Sequence, residues 1–587
     1  MKLLGAFAEK APNKLFLSIV LGALAGASYA LIIPLVLNVV APDAGAFATV
    51  GSETGYFMGW QVSNFKFAGL FALVCLFILL ARTASQVILM RVSMDVATDL
   101  RTRMYHRIAQ APIADLERVG LSRLVASITS DVPVIVAGAR MLPDLLTSGV
   151  TLVGMLGFLL YLNSAVFWFV IGCIFVGALT YQLPMLLGSR YLTHARRHLD
   201  ELHESIRGLV HGAKELKLNH DKREDYFRQV LAENENDVRA ASKTGHTIMR
   251  LTQNYGDLIA FFVIGAVGFV FVNYHSISRQ ELNGVIMVLL YVTGPVAVLL
   301  NFIPQFAMAQ VALKKINQLF DQIPSERVVL DGAPRRDWQT LRFENVRYQY
   351  ADRSGDVGFA VGPLSFEIRK GEITFVVGGN GSGKSTLSKL ITLHYHRTAG
   401  EIYYDGVKVD ESNIAGFRRG VAAIYSDYYL FDRALGLEGR DVQAEVDEYL
   451  KALALDHKVT FKDGRFSTLS LSDGQKRRLA LVAAFLEDAQ LYLFDEWAAD
   501  QDPVFKTVFY NKILPGLKAK GKAVVAISHD DRFFHLADRL LAMHEGKIVT
   551  TDAEGMALTA AAISNEGGAR QARQPTAHVV HDIVPAL

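Results

Sequence analysis

The sequence predicts two unlike halves: an α-helical six-span membrane domain, then an α/β domain built on a strand, a glycine-rich loop and a helix. Two observations predict this. Six apolar blocks, each near the roughly 20 residues that a helix needs to cross a hydrocarbon core, all fall before residue 310. Past residue 340 the composition becomes that of a mixed soluble protein and includes ITFVVGGNGSGKSTLSKLI, whose glycines sit between a strand-like run and a helix-like run.

The chain has 587 residues, 51% of them hydrophobic, which is too apolar for an ordinary soluble pair of domains. Its net charge of +2 carries no electrostatic footprint for a nucleic acid. The two cysteines, Cys75 and Cys173, each lie inside an apolar block, so they read as buried packing thiols and not as a disulfide framework. Lys2, Lys10 and Lys14 precede an apolar run too long for a signal-peptide core, which predicts an uncleaved first span.

The spans are predicted at residues 15–40, 66–90, 143–162, 164–187, 257–274 and 284–308. Spans three and four are joined only around Asn163, as a tight hairpin. Arg91, Arg101, Arg103 and Arg107 follow span two, and Arg190, Arg196, Arg197 and Lys214 follow span four. The opposite loops hold little besides Lys66 and Arg279, so both basic segments and both termini are predicted to be cytoplasmic. Residues 91–140 and 188–256 keep helical spacing with abundant charge, which predicts that the membrane helices continue beyond the bilayer and turn back.

Pro34, Pro184, Pro295 and Pro304 fall within spans. Arg82 reads as a charge snorkelling to the inner interface. Tyr181, Gln182, Tyr291, Asn301 and Gln305 fit either a cavity wall or interhelical hydrogen bonds. Tyr56, Phe57 and Trp60, in the outer loop, read as interfacial anchors. The predicted organisation is a membrane domain over 1–320, a linker over 321–340, an α/β domain over 341–550 and a loosely ordered tail over 551–587, with no metal site assigned to His578 or His581.

In the second half, Gly378, Gly381 and Gly383 allow a tight loop whose N–H groups face a phosphate, with Asn380, Ser382 and Thr386 beside them. Lys384 supplies a point charge for the β- and γ-phosphates, and Ser385 offers its hydroxyl to Mg²⁺. LYLFDEW reads as a buried parallel strand ending in Asp495, suited to Mg²⁺, and Glu496, suited to polarising the attacking water. In LSDGQKRRLAL, Ser472 reads as the cap of a helix, with Gly474 and Gln475 in its first turn. AVVAISHDD ends a further strand on His529, placed to orient the γ-phosphate.

Taken in order, these motifs resemble the Walker A, signature, Walker B, D-loop and H-loop series of ATP-binding-cassette proteins, across essentially all of residues 341–550. The six-span half resembles that of the exporter class, the type IV exporter-like fold. The resemblance implies ATP and Mg²⁺ as ligands, transport-coupled ATP hydrolysis and a homodimer in the bacterial inner membrane, with the ATPase domain cytoplasmic. It implies that Ser472 and Gly474 of one copy face the γ-phosphate held by Lys384 of the other, and that Tyr350 stacks on adenine. Catalytic roles fall to Lys384, Asp495, Glu496 and His529.

The sequence departs from the family pattern at three places. Ser426 stands where the family usually has glutamine, with Asp427 as a possible substitute at the metal. Asp473 replaces a glycine of the signature, and AADQDP replaces the usual D-loop. DGRFSTLSLSDGQKRRLAL, LFDEWAADQDP and AIYSDYYLF closely resemble the cyclic-peptide exporter subfamily, which serves siderophores of the pyoverdine kind, syringomycin-type lipopeptides and microcin J25. That implies export of a peptide-like metabolite by alternating access, with cytoplasmic turns near 113–120 and 218–225 carrying the motion. A lipid flippase and an exporter-shaped siderophore importer are the alternatives; an ATP-regulated scaffold is disfavoured by the intact Lys384, Asp495 and Glu496.

Overall fold

The computed structural model describes residues 3–40, 55–57, 60–62, 65–274, 277–326, 338–351, 357–437 and 439–550. Most of the outer loop, the central linker at 327–337 and the tail lie outside the described residues, as do the side chains of Phe57 and Trp60. Two compact units result: Met1–His106 with Leu121–Gln322, and Arg107–Gly120 with Ile323–Leu587.

In the first unit, six helices among the described residues are long and apolar enough to cross a membrane. They are α1 (Pro12–Val40), α2 (Phe65–Ala109), α3 (Leu142–Leu162), α4 (Ser164–His211), α5 (Ala232–Gly265) and α6 (Arg279–Gln322). With 45 and 48 residues, α2 and α4 are each roughly 70 Å long at 1.5 Å per residue, about twice a hydrocarbon core. The surplus is the continuation that the charged segments predict. Asn163 breaks α3 from α4 with an extended backbone and caps α4, its Oδ1 accepting from the N–H groups of Ala165 and Val166. All four span prolines sit inside helices.

Small residues let the helix pairs approach closely, which is where membrane helices gain their attraction. A Cβ on Gly26 would lie 2.5 Å from the Thr147 carbonyl oxygen, and one on Gly154 would lie 2.5 Å from Ala30 Cβ. Thr147 and Thr151 donate across this α1–α3 seam to the carbonyls of Gly22 and Gly26, each at 3.1 Å. On the α4–α5 seam Gly188 and Gly245 face each other, so that a Cβ on either would lie 3.3 Å from the other's carbonyl oxygen.

Arg82 has partners on two other helices. Its guanidinium, still exposed, donates to Tyr29 Oη at 3.2 Å and to Asp144 Oδ1 at 3.4 Å, while Gln86 Nε2 donates to the same carboxylate at 2.7 Å. A carboxylate at the start of α3 gives the charge a partner on a neighbouring helix. Cys75 and Cys173 are free but only partly buried, which corrects the expectation of buried thiols.

Among the described residues the second unit holds two main sheets and a two-stranded ribbon of Phe461–Lys462 with Arg465–Phe466. The first is antiparallel and has the order β2-β1-β4-β5, from β1 (Thr340–Ala351), β2 (Val357–Arg369), β4 (Ala399–Tyr404) and β5 (Val407–Lys408). The second has the order β10-β9-β3-β8-β7-β6. Its strands are β3 (Ile373–Gly378), β6 (Val421–Ile424), β7 (Leu491–Asp495), β8 (Ala523–Ile527), β9 (Arg539–His544) and β10 (Lys547–Thr550). Strands β9, β3, β8, β7 and β6 run parallel, and β7 and β8 are buried along their whole length, as their unbroken apolar sequence requires.

The short helix Ile113–Val119 belongs to this second unit. Ile113 and Ala114 pack on the core around Tyr348 and Tyr395, and Glu117 accepts from Lys389 Nζ at 2.7 Å and from Tyr395 Oη at 2.5 Å. Close by, Glu326 accepts from both Arg418 and His396. The other predicted turn lies in the first unit, where Asn219 caps the helix His220–Asp225 and Leu218 stands exposed.

Candidate active site

Parallel pairing sets the site. Because β3, β8 and β7 are neighbours running the same way, the loops at their carboxyl ends emerge side by side. These loops carry the phosphate-loop sequence, His529 and the Asp495–Glu496 pair, so residues 378, 495 and 529 meet at one sheet edge.

After β3 the chain turns through Gly378, Gly381 and Gly383, at φ +150, +77 and +102. These are conformations that a side chain resists and glycine accepts. A Cβ on Gly378 would meet the Met543 carbonyl oxygen at 2.3 Å, so its backbone can pass only as glycine. The helix α7 (Lys384–Ile391) starts at once, aiming its N-terminal N–H groups at the loop. Lys384 Nζ donates to the Gly378 and Gly379 carbonyls at 3.0 Å each, and burial holds its pKa below the usual lysine range. Ser382 Oγ is buried with no hydrogen-bond partner among the described residues. Tyr350 Oη lies 2.9 Å from Thr386 Oγ1, at the side of this loop.

At the end of β7, Asp495 is 3% exposed. Burial first, and then the neighbouring Glu496 charge, pushes its carboxyl up to about 6, with Asp427 adding to the rise. Ser426 and Asp427 themselves are exposed. Glu496 has φ +51 and ψ +32, a left-handed backbone in a residue other than glycine, and its Oε1 lies 3.0 Å from His529 Nε2. Among the described residues no group of three His, Cys, Asp or Glu side chains is placed to hold a metal, but the exposed Ser385 hydroxyl and the buried Asp495 carboxyl are oxygen donors of the kind that a hard cation such as Mg²⁺ takes. A glycine cradle, a lysine and an orphaned buried hydroxyl fit a phosphate chain.

The signature helix α8 (Asp473–Leu486) begins with a full capping box, Ser472 and Gln475 satisfying one another's backbone N–H groups. Asp473 points away, with its side chain 84% exposed and paired to Lys476, so its charge is spent in solvent. Gly474 is placed by the D-loop: its carbonyl accepts from Gln501 Nε2 at 2.9 Å, and a Cβ would lie 3.0 Å from the Asp500 carbonyl oxygen. These D-loop contacts and the buried Arg477 behind them escaped the reading by motif. The run KRR beside DEWAADQD, basic against acidic, was their signal.

A six-helix membrane unit joined to a nucleotide-binding α/β unit defines a membrane-embedded ATPase. The family profile described as ABC transporter transmembrane region matches residues 15–296, and that described as ABC transporter matches residues 361–499. The chain belongs to the ABC transporter family, as a multi-pass protein whose ATPase is coupled to transport. It is 31% identical over 502 residues to the ATP-binding protein SyrD of Pseudomonas syringae pv. syringae, covering 83% of this chain and 88% of that protein. It is also similar, at 25% identity over 80% of each chain, to an ATP-dependent lipid A-core flippase of Paraburkholderia xenovorans. Among solved structures, a bacterial Atm1-family ABC exporter with ATP bound shares the fold, with a TM-score of 0.66, 18% identity and coverage of 93% and 96% of the two chains.

Proposed function

We propose that the protein exports a peptide or peptide-like metabolite across the bacterial inner membrane as a homodimer, with its ATPase units in the cytoplasm. The observation that carries the cargo class is a cavity between α4, α5 and α6. Its wall is mainly apolar, from residues such as Val170, Ile259 and Val292, and holds the neutral polar groups of Tyr181, Gln253, Thr293 and Asn301. Tyr181 Oη donates to Asn301 Oδ1 at 3.4 Å, a long bond that a cargo amide can replace. Amide and hydroxyl groups in an uncharged wall suit a backbone amide flanked by apolar side chains. The likeness of the cassette motifs to the cyclic-peptide exporter subfamily supports the same reading.

In this reading the loop glycines, Asn380, Ser382, Lys384 and Thr386 hold the ATP phosphates, and Tyr350 takes the adenine. Ser385 and Asp495 would hold Mg²⁺, with Asp427 or Ser426 nearby, and the ion would offset phosphate charge. Glu496 polarises the attacking water, and His529 holds the Glu496 carboxylate in place through its ring nitrogen. Ser472, Gly474 and Gln475 of the second copy close the site, which makes hydrolysis depend on the dimer. ATP binding closes the two cassettes, and hydrolysis resets them. The helix Ile113–Val119, fastened to Lys389 and Tyr395, and the exposed turn at Leu218 pass the motion to the membrane helices.

Lipid is the second reading, favoured by the flippase relative and by Arg82, a charge within a span that suits an anionic headgroup. Substrate-stimulated ATPase in proteoliposomes decides. Amphipathic cyclic or lipidated peptides are expected to raise turnover, while stimulation by anionic lipid alone would overturn the peptide assignment.

A further inference from the structure

Behind the Glu496 carboxylate lies a buried arginine–tryptophan pair. Arg477, on the second turn of α8, is 8% exposed, and Trp497, directly after Glu496, is 1% exposed. Arg477 Nη1 donates to the carbonyl oxygens of Glu496 at 2.5 Å and Trp497 at 3.0 Å. In return, the Trp497 indole N–H donates to the Arg477 carbonyl at 2.9 Å. The second guanidinium arm pairs with Asp500 at 2.6 Å, and the indole stacks on Phe509 with centroids 4.3 Å apart.

We propose that Arg477 and Trp497 form a reciprocal latch through which the signature helix positions the Glu496 carboxylate, Arg477 being a positioning residue. The inference rests on the reading of Glu496 as the water-polarising group. Glu496 adopts a left-handed backbone, which a residue with a Cβ resists and which persists only where its surroundings over-determine it. Three bonds do so. The Glu496 N–H donates to the Ile527 carbonyl at 3.1 Å, and its carbonyl accepts from the Ala499 N–H at 3.1 Å and from Arg477. The first two come from the sheet and the D-loop. Only the third comes from α8.

A charge-assisted bond out of solvent is about twice as strong as a neutral one, and a buried guanidinium that lost its acceptors would be costly. The peptide of Glu496 must therefore follow α8 when α8 moves. Since φ and ψ aim the side chain, the same displacement carries the carboxylate toward or away from His529. The helix that begins at Ser472, where the second copy's nucleotide is proposed to bind, is thus mechanically joined to the catalytic group of its own subunit. An ordinary buried packing pair would lack this two-way exchange, in which each side chain donates to the other segment's main-chain carbonyl.

The test compares steady-state ATP turnover of the purified full chain with Arg477→Gln, Trp497→Phe and Glu496→Gln. Trp497→Phe keeps the stacked ring and removes only the N–H. Arg477→Gln is expected to lower kcat at least about tenfold with the KM for ATP changed less than about threefold, and Trp497→Phe to lower kcat about threefold, because an orienting group acts on the chemical step. Unfolding temperature and nucleotide binding are read in parallel. If Arg477→Gln fails to fold, Trp497→Phe and Asp500→Asn carry the test by the same kcat-against-KM split. A kcat within twofold of the parent in the folded variants, or a rise in KM alone, overturns the latch. Should Glu496→Gln keep near-parental turnover, the reading of the site falls instead, and the two failures stay distinguishable.

Discussion

His529 Nε2 stands 3.0 Å from Glu496 Oε1, so two residues 33 positions apart in sequence meet because β7 and β8 are adjacent and parallel. Glu496→Gln is expected to retain ATP affinity and lose turnover by at least about a hundredfold, the scale of removing a general base. His529→Ala is expected to fall in the same direction by roughly ten- to a hundredfold. Single-turnover hydrolysis with radiolabelled ATP checks both. An unchanged rate in either would remove that residue from the proposed chemistry.

The site should lose activity on the acid side. Asp495 has its carboxyl raised to about 6, so as pH falls through that value it gains a proton and gives up the charge a cation needs. Mg²⁺-dependent ATP turnover, read as kcat/KM from pH 5 to 8, should show an acid limb at or below about 6. Asp427→Asn withdraws a negative neighbour, which should move that limb to lower pH. A limb that stays put would place Asp427 outside the site.

Glu326 provides a second pH dependence, this time of stability. Burial alone would raise its carboxyl, but bonds from His396 and Arg418 outweigh that and hold it at about 2, against an ordinary value of 4.5. A folded pKa below the unfolded one stabilises the fold above pH 4.5, and the contribution disappears as pH falls toward 2. We expect Glu326→Gln to cost about 2 kcal/mol at pH 7, discounted for partial solvation, with the penalty vanishing near pH 2. Urea denaturation at the two pH values measures it; a penalty independent of pH would contradict the ion-pair account.

Glu117 accepts from Lys389, which sits on the helix that Lys384 begins, and from Tyr395. Glu117→Ala should leave basal ATP turnover within about twofold and remove most of its stimulation by cargo, since the change breaks a fastening remote from the reacting atoms. Stimulation that survives intact would show that the helix Ile113–Val119 carries no signal through this residue.

Gly26→Ala should destabilise the membrane unit by about 1–3 kcal/mol, because the new methyl meets a main-chain oxygen that cannot yield easily. Gly149, where a Cβ would find open space, should accept alanine at little cost on the same helix pair. Thermal aggregation in detergent compares them. Equal behaviour of the two variants would argue against a tight α1–α3 seam.

The parts of this fold that are local in sequence were legible there. An apolar run of about 20 residues announces a span by length alone, and Gly378, Gly381 and Gly383 with Lys384 announce a phosphate loop because only that spacing permits the backbone turn. Ser472 was legible as a cap for the same reason. What stayed hidden depends on partners far along the chain. Arg82 could not be matched to Asp144, 62 residues on, without knowing that α2 and α3 bring them together. Likewise Arg477 is one of three successive basic residues, and nothing within that run says which of them turns inward to the carbonyls of Glu496 and Trp497.

The two glycine seams in the membrane unit restrict how it can change shape. Where Gly26 lies under Thr147 and Gly188 faces Gly245, neither helix of a pair can slide or roll without driving main-chain atoms together. The six spans therefore have fewer independent joints than six. Freedom is left between each pair and its neighbours, and the neutral cavity opens where α6 lies against the stiff α4–α5 pair. If cargo is taken there, as proposed, the cavity widens by parting α6 from that two-helix pair, and its walls keep their composition while its width changes.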